Sequence, residues 1–181
     1  IMALFEHADD AVRAGLAMVD TLARYNAERE AAGTTPIGIG IGLNSGSLML
    51  GTIGEKDRMD GTVISDAVNL ASRIESLTKT YRISLLISEN TYNQLADPRA
   101  YDIRPIDVVL VKGKVQPVTI FEVFDRNEPQ DRARKSQTRE LLQSGIEALW
   151  RQDTAAARRM FDRCLALYPD DPAATNLLKC C

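Results

Sequence analysis

Residues 37–43 read Ile-Gly-Ile-Gly-Ile-Gly-Leu, and this stretch restricts the fold more than any other in the chain. Alternation at a period of two marks a β-strand, whose side chains point in turn to opposite faces. Here one face is branched and apolar, and the other is bare. Glycine inside a strand weakens it, so a run of glycines on one face implies a close approach of other backbone. A second apolar run, 48–53, follows Asn44-Ser45-Gly46. Together the two runs predict a long bent strand or a hairpin.

Around this element the pattern switches between helix and strand. Residues 1–5 are apolar and predict a strand. Val12, Leu16, Val19, Leu22 and Ala23 recur at helical spacing and predict an amphipathic helix over 8–29, ended by Gly33 and Pro36. Residues 57–60 are polar and predict a loop, 62–64 a short strand, and 66–81 a helix with Ser65 as its N-cap. A strand over 83–87 leads to a short helix over 89–96 capped by Ser88. Strands over 106–111 and 118–124 are joined through Lys112-Gly113-Lys114. This order predicts an α+β fold with a partly antiparallel sheet.

Residues 126–139 are charged and lack large apolar side chains, so they read as a linker between a first domain, 1–125, and a helical segment, 140–181. That segment predicts a helical pair over 141–151 and 154–168, stopped by Pro169. Its Gly145, Ala157, Phe161 and Pro169 resemble the tetratricopeptide pattern, and a plain helical hairpin fits the same residues. One such unit cannot bury its own apolar face and must dock on the first domain, on another chain or on further repeats.

Composition narrows the function. Of 181 residues, 22 are basic and 25 acidic, a net charge of -3, which argues against a duplex-binding protein. No apolar run approaches the roughly 20 residues that span a bilayer. Three cysteines, Cys164, Cys180 and Cys181, sit near one end and form no disulfide framework, which predicts a reducing, cytoplasmic setting. The glycines complete neither G-x-G-x-x-G nor G-x-x-x-x-G-K-[ST], so neither a dinucleotide fold nor a P-loop is supported. His7, the single histidine, has no metal-ligand partner at suitable spacing and reads as a surface or capping residue.

Chemistry concentrates in 57–75. On the helix over 66–81, Ala67, Leu70, Ala71, Ile74, Leu77 and Tyr81 form one apolar face. Asn69 and Arg73 lie one turn apart on a different face. An amide beside a guanidinium suits an oxyanion or a phosphate, although by spacing alone the pair also fits an ordinary solvated face.

The pattern Thr62-x-x-Ser65-x-x-Val68-Asn69-x-Ala71-x-Arg73 resembles the signature segment of class III adenylyl and guanylyl cyclases. The resemblance begins at Ile1 and extends to about Phe124, through the Ile39-Gly40-Ile41-Gly42-Leu43-Asn44-Ser45-Gly46 strand and the Val111-Lys112-Gly113-Lys114 and Pro117-Val118 segment. It implies a ferredoxin-like sheet with helices on one face. It implies that Asn69 and Arg73 stabilise the transition state at ribose and α-phosphate, that Thr62 reads adenine, and that Lys112 or Lys114 reaches the triphosphate. Arg58 stands where relatives often carry basic residues and is a further substrate-binding candidate. The family usually has Gly where Ser65 stands.

The same resemblance implies two magnesium or manganese ions, a homodimer with the site between subunits, and ATP as substrate. The aspartates that hold the metals and the lysine that selects the purine would lie upstream of Ile1, so the visible chain supplies no metal ligand; Asp9 and Asp10 read as helix-opening residues. Missing N-terminal domains would be the route to membrane tethering. A guanylate cyclase and a catalytically silent dimerisation or regulatory module, acting through the C-terminal helices, are the alternative readings.

Overall fold

The computed structural model describes residues 1–53, 60–64, 66–110 and 117–181, with backbone alone at 49–53 and 60–64. Helix α1 (Ala8–Ala31) leads to strand β1 (Ile41–Leu43), then a hairpin of β2 (Met49–Ile53) and β3 (Asp60–Ile64). Helix α2 (Asp66–Tyr81), strand β4 (Leu85–Ser88) and a single turn of helix, α3 (Glu89–Tyr92), follow. Strands β5 (Ile103–Leu110) and β6 (Pro117–Val123) complete the main sheet, and helices α4 (Pro129–Trp150), α5 (Thr154–Leu167) and α6 (Pro172–Leu178) end the chain. The sheet order is β1-β4-β6-β5, with β1 and β4 parallel and the other neighbours antiparallel. The β2–β3 hairpin is a separate sheet.

This is the expected α+β architecture, with helices covering both faces of the sheet rather than one. The cause lies in β4, which is buried along its whole length. Leu86 packs with Leu70, Ile74, Ile106 and Ile120 on one face, while Leu85 and Ile87 pack with Ala8, Val12 and Leu16 of α1 on the other. A strand apolar on both sides needs cover on both.

Two of the three glycines in 37–43, Gly40 and Gly42, do what their pattern implied. A Cβ on Gly42 would lie 2.3 Å from the Glu75 nitrogen and 2.6 Å from the Ala71 carbonyl oxygen, and one on Gly40 would lie 2.0 Å from Thr78 Oγ1. Helix α2 is pressed against the bare side of the strand, backbone to backbone.

Three expectations are corrected. Residues 1–5 form no strand, because a strand needs a neighbour's N–H and C=O groups, and the described residues offer none there. Instead Met2, Leu4 and Phe5 are exposed beside a groove that Leu43–Gly46 and α2 also line. Only Ile41–Leu43 of the 37–43 run is strand. Ile37 is held instead by Asn26 of α1, whose side chain donates to the Ile37 carbonyl and accepts from its N–H, both at 2.8 Å. Finally, the segment expected as a linker is helical from Pro129 onward. Pro is well suited to the first turn of a helix, and over residues 129–139 the buried face carries Lys135 and Thr138 in place of the apolar stripe that a sequence pattern detects.

The C-terminal helices share one core with the sheet: Leu142, Ile146, Ala157 and Phe161 belong to the cluster of Leu70, Ile74 and Ile106. Gly145 admits the Phe161 ring, since a Cβ there would come within 2.3 Å of it. A buried ionic network adds to this contact. Arg104 of β5 donates from Nε to Glu122 of β6 at 2.6 Å, and from its two terminal nitrogens to both oxygens of Asp171 at 2.6 and 3.0 Å. Lys135 of α4 donates to the other Glu122 oxygen at 2.5 Å. Asp171 also caps α6 by accepting from Ala173 N at 3.0 Å. Arg104 and Asp171 are fully buried. Burial alone would make the Arg104 guanidinium easier to deprotonate, but Glu122 and Asp171 reverse that and hold it more firmly charged.

Candidate active site

Leu70 and Ile74 are buried against the sheet, and the Asn44 side chain donates to the Ala67 carbonyl at 3.0 Å in the first turn of α2. Asn44 is itself fixed, accepting from Ser88 Oγ at 2.7 Å and from Asn90 at 3.2 Å. The start of α2 is therefore tied to the ends of β1 and β4. Ser88 caps α3 as expected, accepting from Thr91 N at 3.2 Å.

With the apolar face turned inward, Asn69 and Arg73 are both exposed, one turn apart. Arg73 Nη1 donates to the Leu110 carbonyl at 2.6 Å. Leu110 ends β5, and the chain passes directly from it into the segment that holds Lys112 and Lys114. The guanidinium thus sits at the end of β5, at the base of that segment. Lys112, Lys114, Arg58 and the cap residue Ser65 lie outside the described residues. Thr62 is placed by its backbone, in β3 opposite Gly51 of β2 and shortly before α2 begins.

One neighbour of Arg73 went unnoticed in the sequence. Asp107 of β5 is half-buried, and the Tyr81 hydroxyl and, more weakly, the Arg73 charge act on it. Burial pushes its carboxyl above the usual carboxylate range, against the opposing pull of the Tyr81 hydroxyl, the Val108 N–H and the Arg73 guanidinium. Tyr81 is buried, and this together with Asp107 raises its hydroxyl well above the ordinary phenol value. The only sequence signal for Asp107 was a charged residue inside the otherwise apolar run 106–111.

Among the described residues no three His, Cys, Asp or Glu side chains gather as a metal site. Asp9 is engaged elsewhere, accepting from Ala96 N and from the Tyr101 hydroxyl, each at 3.0 Å. The Ala96 N–H leads the causes that hold its carboxyl below the usual range. His7 precedes α1 without a capping side-chain bond. No helix among the described residues is long and apolar enough to cross a membrane.

The family model of the adenylate and guanylate cyclase catalytic domain matches residues 2–123. The chain belongs to this family. An adenylate cyclase of Anabaena cylindrica is 43% identical over 130 residues, covering 68% of this chain and 26% of that protein. The terminal-differentiation specific adenylate cyclase of Dictyostelium discoideum is 32% identical over 99% of this chain, which amounts to 9% of its own length. Among solved structures, the adenylyl cyclase CyaB from P. aeruginosa superposes with a TM-score of 0.55 at 33% identity, over 70% of this chain and 64% of that one. The guanylyl cyclase Cya2 superposes with a TM-score of 0.52 at 30% identity, over 71% and 65% respectively. The chain therefore spans about a quarter or less of these curated relatives. The matched region ends at Val123, ahead of α4.

Proposed function

We propose that this chain is the nucleotide-orienting part of an adenylate cyclase, which converts ATP to 3′,5′-cyclic AMP and pyrophosphate in signal transduction. The observation that carries the reading is the exposed Asn69–Arg73 pair on α2, with the guanidinium at the base of the Lys112–Lys114 segment. In the reaction the ribose 3′ oxygen bonds to the α-phosphorus while the bond from that phosphorus to the pyrophosphate oxygen breaks. Negative charge shifts during this step, and donors already in place act on the transition state without reorganising. Arg73 would face the α-phosphate, Asn69 would orient the ribose, and Lys112 and Lys114 would hold the triphosphate, with Arg58 a further contact. Thr62 at the base-reading position favours adenine, and the relatives named above as adenylate cyclases support that choice. The likeness to a guanylyl cyclase keeps GTP as the second reading.

Two magnesium or manganese ions enter this reading through the family alone. The described residues hold no donor set that fits them, and in this reading the carboxylates that hold them lie upstream of Ile1. A homodimer with the site shared between subunits, in the cytoplasm, belongs to the same reading. The test is turnover of ATP against GTP by the complete protein, together with Arg73→Ala. ATP should be preferred, and Arg73→Ala should lower kcat about 10²-fold with a much smaller change in KM. A preference for GTP would overturn the substrate; a raised KM at unchanged kcat would overturn the role of Arg73.

A further inference from the structure

Strand β1 offers α2 a bare surface, and such a surface does not fix how the helix is rolled about its own axis. Gly40 and Gly42 let the two backbones come close, and Leu70 and Ile74 turn the apolar side inward. Apolar contact is non-directional, so these features set the roll only coarsely. Asn44, the residue after β1, supplies the direction. Its Nδ2 donates to the Ala67 carbonyl at 3.0 Å, while its Oδ1 accepts from Ser88 Oγ at 2.7 Å and from Asn90 Nδ2 at 3.2 Å. Those two donors decide which way the amide faces. Turned over, it would set its oxygen against the Ala67 carbonyl and its nitrogen against that of Asn90. Ser88 is fully buried at the end of β4, so the group that aims Asn44 belongs to the core.

We infer that Asn44 is a positioning residue for Asn69: it sets the roll of the first turns of α2, and with it the aim of the Asn69 amide at the ribose. The proposal rests on the catalytic reading of Asn69 given above. Asn69 is exposed and lies two residues beyond Ala67, so its aim follows the turn of helix that carries it. A helix with its side chains has a radius of about 5–6 Å, and a roll of about 10° moves a side-chain tip sideways by about 1 Å. A shift of that size spoils the alignment of a donor with a reacting group. Arg73 depends less on this bond, because its guanidinium has a separate anchor at the Leu110 carbonyl. Asn44 touches no substrate atom in this scheme, so its effect must pass through Asn69. The same chemistry recurs in the last turn of α2, far from Asn69, where Asn176 of α6 donates to the Thr80 carbonyl.

A double-mutant cycle in the complete protein, with ATP as substrate, tests this. Asn44→Asp keeps the shape and the acceptor for Ser88 and Asn90 but loses the donor to Ala67. It should lower kcat about tenfold with KM changed less than about twofold, and should have almost no further effect once Asn69→Ala is present. Asn176→Ala, which removes the equivalent bond at the remote end of the helix, should leave kcat within about twofold of the parent. Equal losses from Asn44→Asp in both backgrounds would overturn the proposal, as would an Asn44→Asp protein that melts normally and keeps its kcat. So would a folded Asn176→Ala protein whose kcat falls as far, since the bond at Asn44 would then have no special bearing on the site. Should Asn44→Asp melt early, Ser88→Ala becomes the deciding variant. It releases the Asn44 amide without adding charge, and should lower kcat about threefold in the parent but not beside Asn69→Ala. An unchanged kcat for Ser88→Ala in a stably folded protein would also overturn the proposal. A normal kcat for Asn69→Ala alone would instead remove the catalytic reading beneath it.

Discussion

Helix α2 and the helices α4–α6 lie on the same face of one sheet, and they are held there by opposite means. Under α2 the strand is stripped to glycine, the two backbones touch, and Leu70 and Ile74 fill the contact. Under α4–α6 the apolar contact of Leu142 and Phe161 is joined by four buried charges and by Phe124, whose ring has Arg104, Lys135 and Arg139 within 6.0, 5.8 and 5.9 Å. The first contact draws on the absence of side chains, the second on their full satisfaction. Close packing of backbone tolerates no added atom. A buried charge network tolerates no missing partner, yet it can be replaced as a whole by apolar residues of similar volume.

That contrast can be broken at either end. The largest effect is expected at Asp171. Asp171→Ala leaves Arg104 buried without its bidentate partner and should cost about 3–5 kcal/mol in urea melts. Replacing Arg104, Glu122, Lys135 and Asp171 together by apolar residues of matched volume should recover most of it. If the single change proves as mild as a surface substitution, the network does not hold the helices. Gly42→Ala comes next, at about 1–3 kcal/mol or more, because the new methyl meets backbone at Ala71 and Glu75. Gly38→Ala is its control: nothing lies within 4 Å of that position, so it should be close to neutral. Similar losses from both substitutions would contradict the close contact.

The smallest effect sharpens the same comparison on the alkaline side. Burial pushes the Cys164 thiol up to about 11 from an ordinary value near 9.0. The unfolded thiol loses its proton first, so this contribution is intact below about pH 9 and is lost as pH rises through about 11, at most about 2 kcal/mol. Melting temperature followed from pH 8 to 11 should therefore fall less steeply in Cys164→Ala than in the parent chain; parallel curves would contradict it.

The two contacts also differ in how far the sequence revealed them. The Ile-Gly alternation announced a bare face, and the stripe from Ala67 to Tyr81 announced the helix that fills it, because both are periodic and local. The exposed positions of Asn69 and Arg73 followed once that stripe was oriented. The ionic contact has no period. Arg104, Glu122, Lys135 and Asp171 come from four separate elements, and each alone looks like a surface charge. Residues 126–139 read as a linker for the same reason: the helix buries Lys135, which no hydrophobic pattern counts. Asp107 escaped notice because a bulge in β5 between Pro105 and Asp107, which leaves no mark in composition, decides where it points. The segment 1–5 erred in the other direction, since an apolar run states what a strand would bury and not whether a neighbour exists to pair with it.

The direct pairing of Arg104 with Glu122 across β5 and β6 bears on how the chain avoids folding wrongly. A slip of one residue would set Arg104 against Phe121 or Val123 and send the guanidinium toward the opposite side of the sheet. Asp171 and Lys135 arrive later in the sequence and can engage only a correctly aligned hairpin. The last helices thus inspect the alignment of strands made before them. A misaligned hairpin would leave Leu142 and Phe161 without a seat and advertise the error as exposed apolar surface, the signal that cellular quality control recognises.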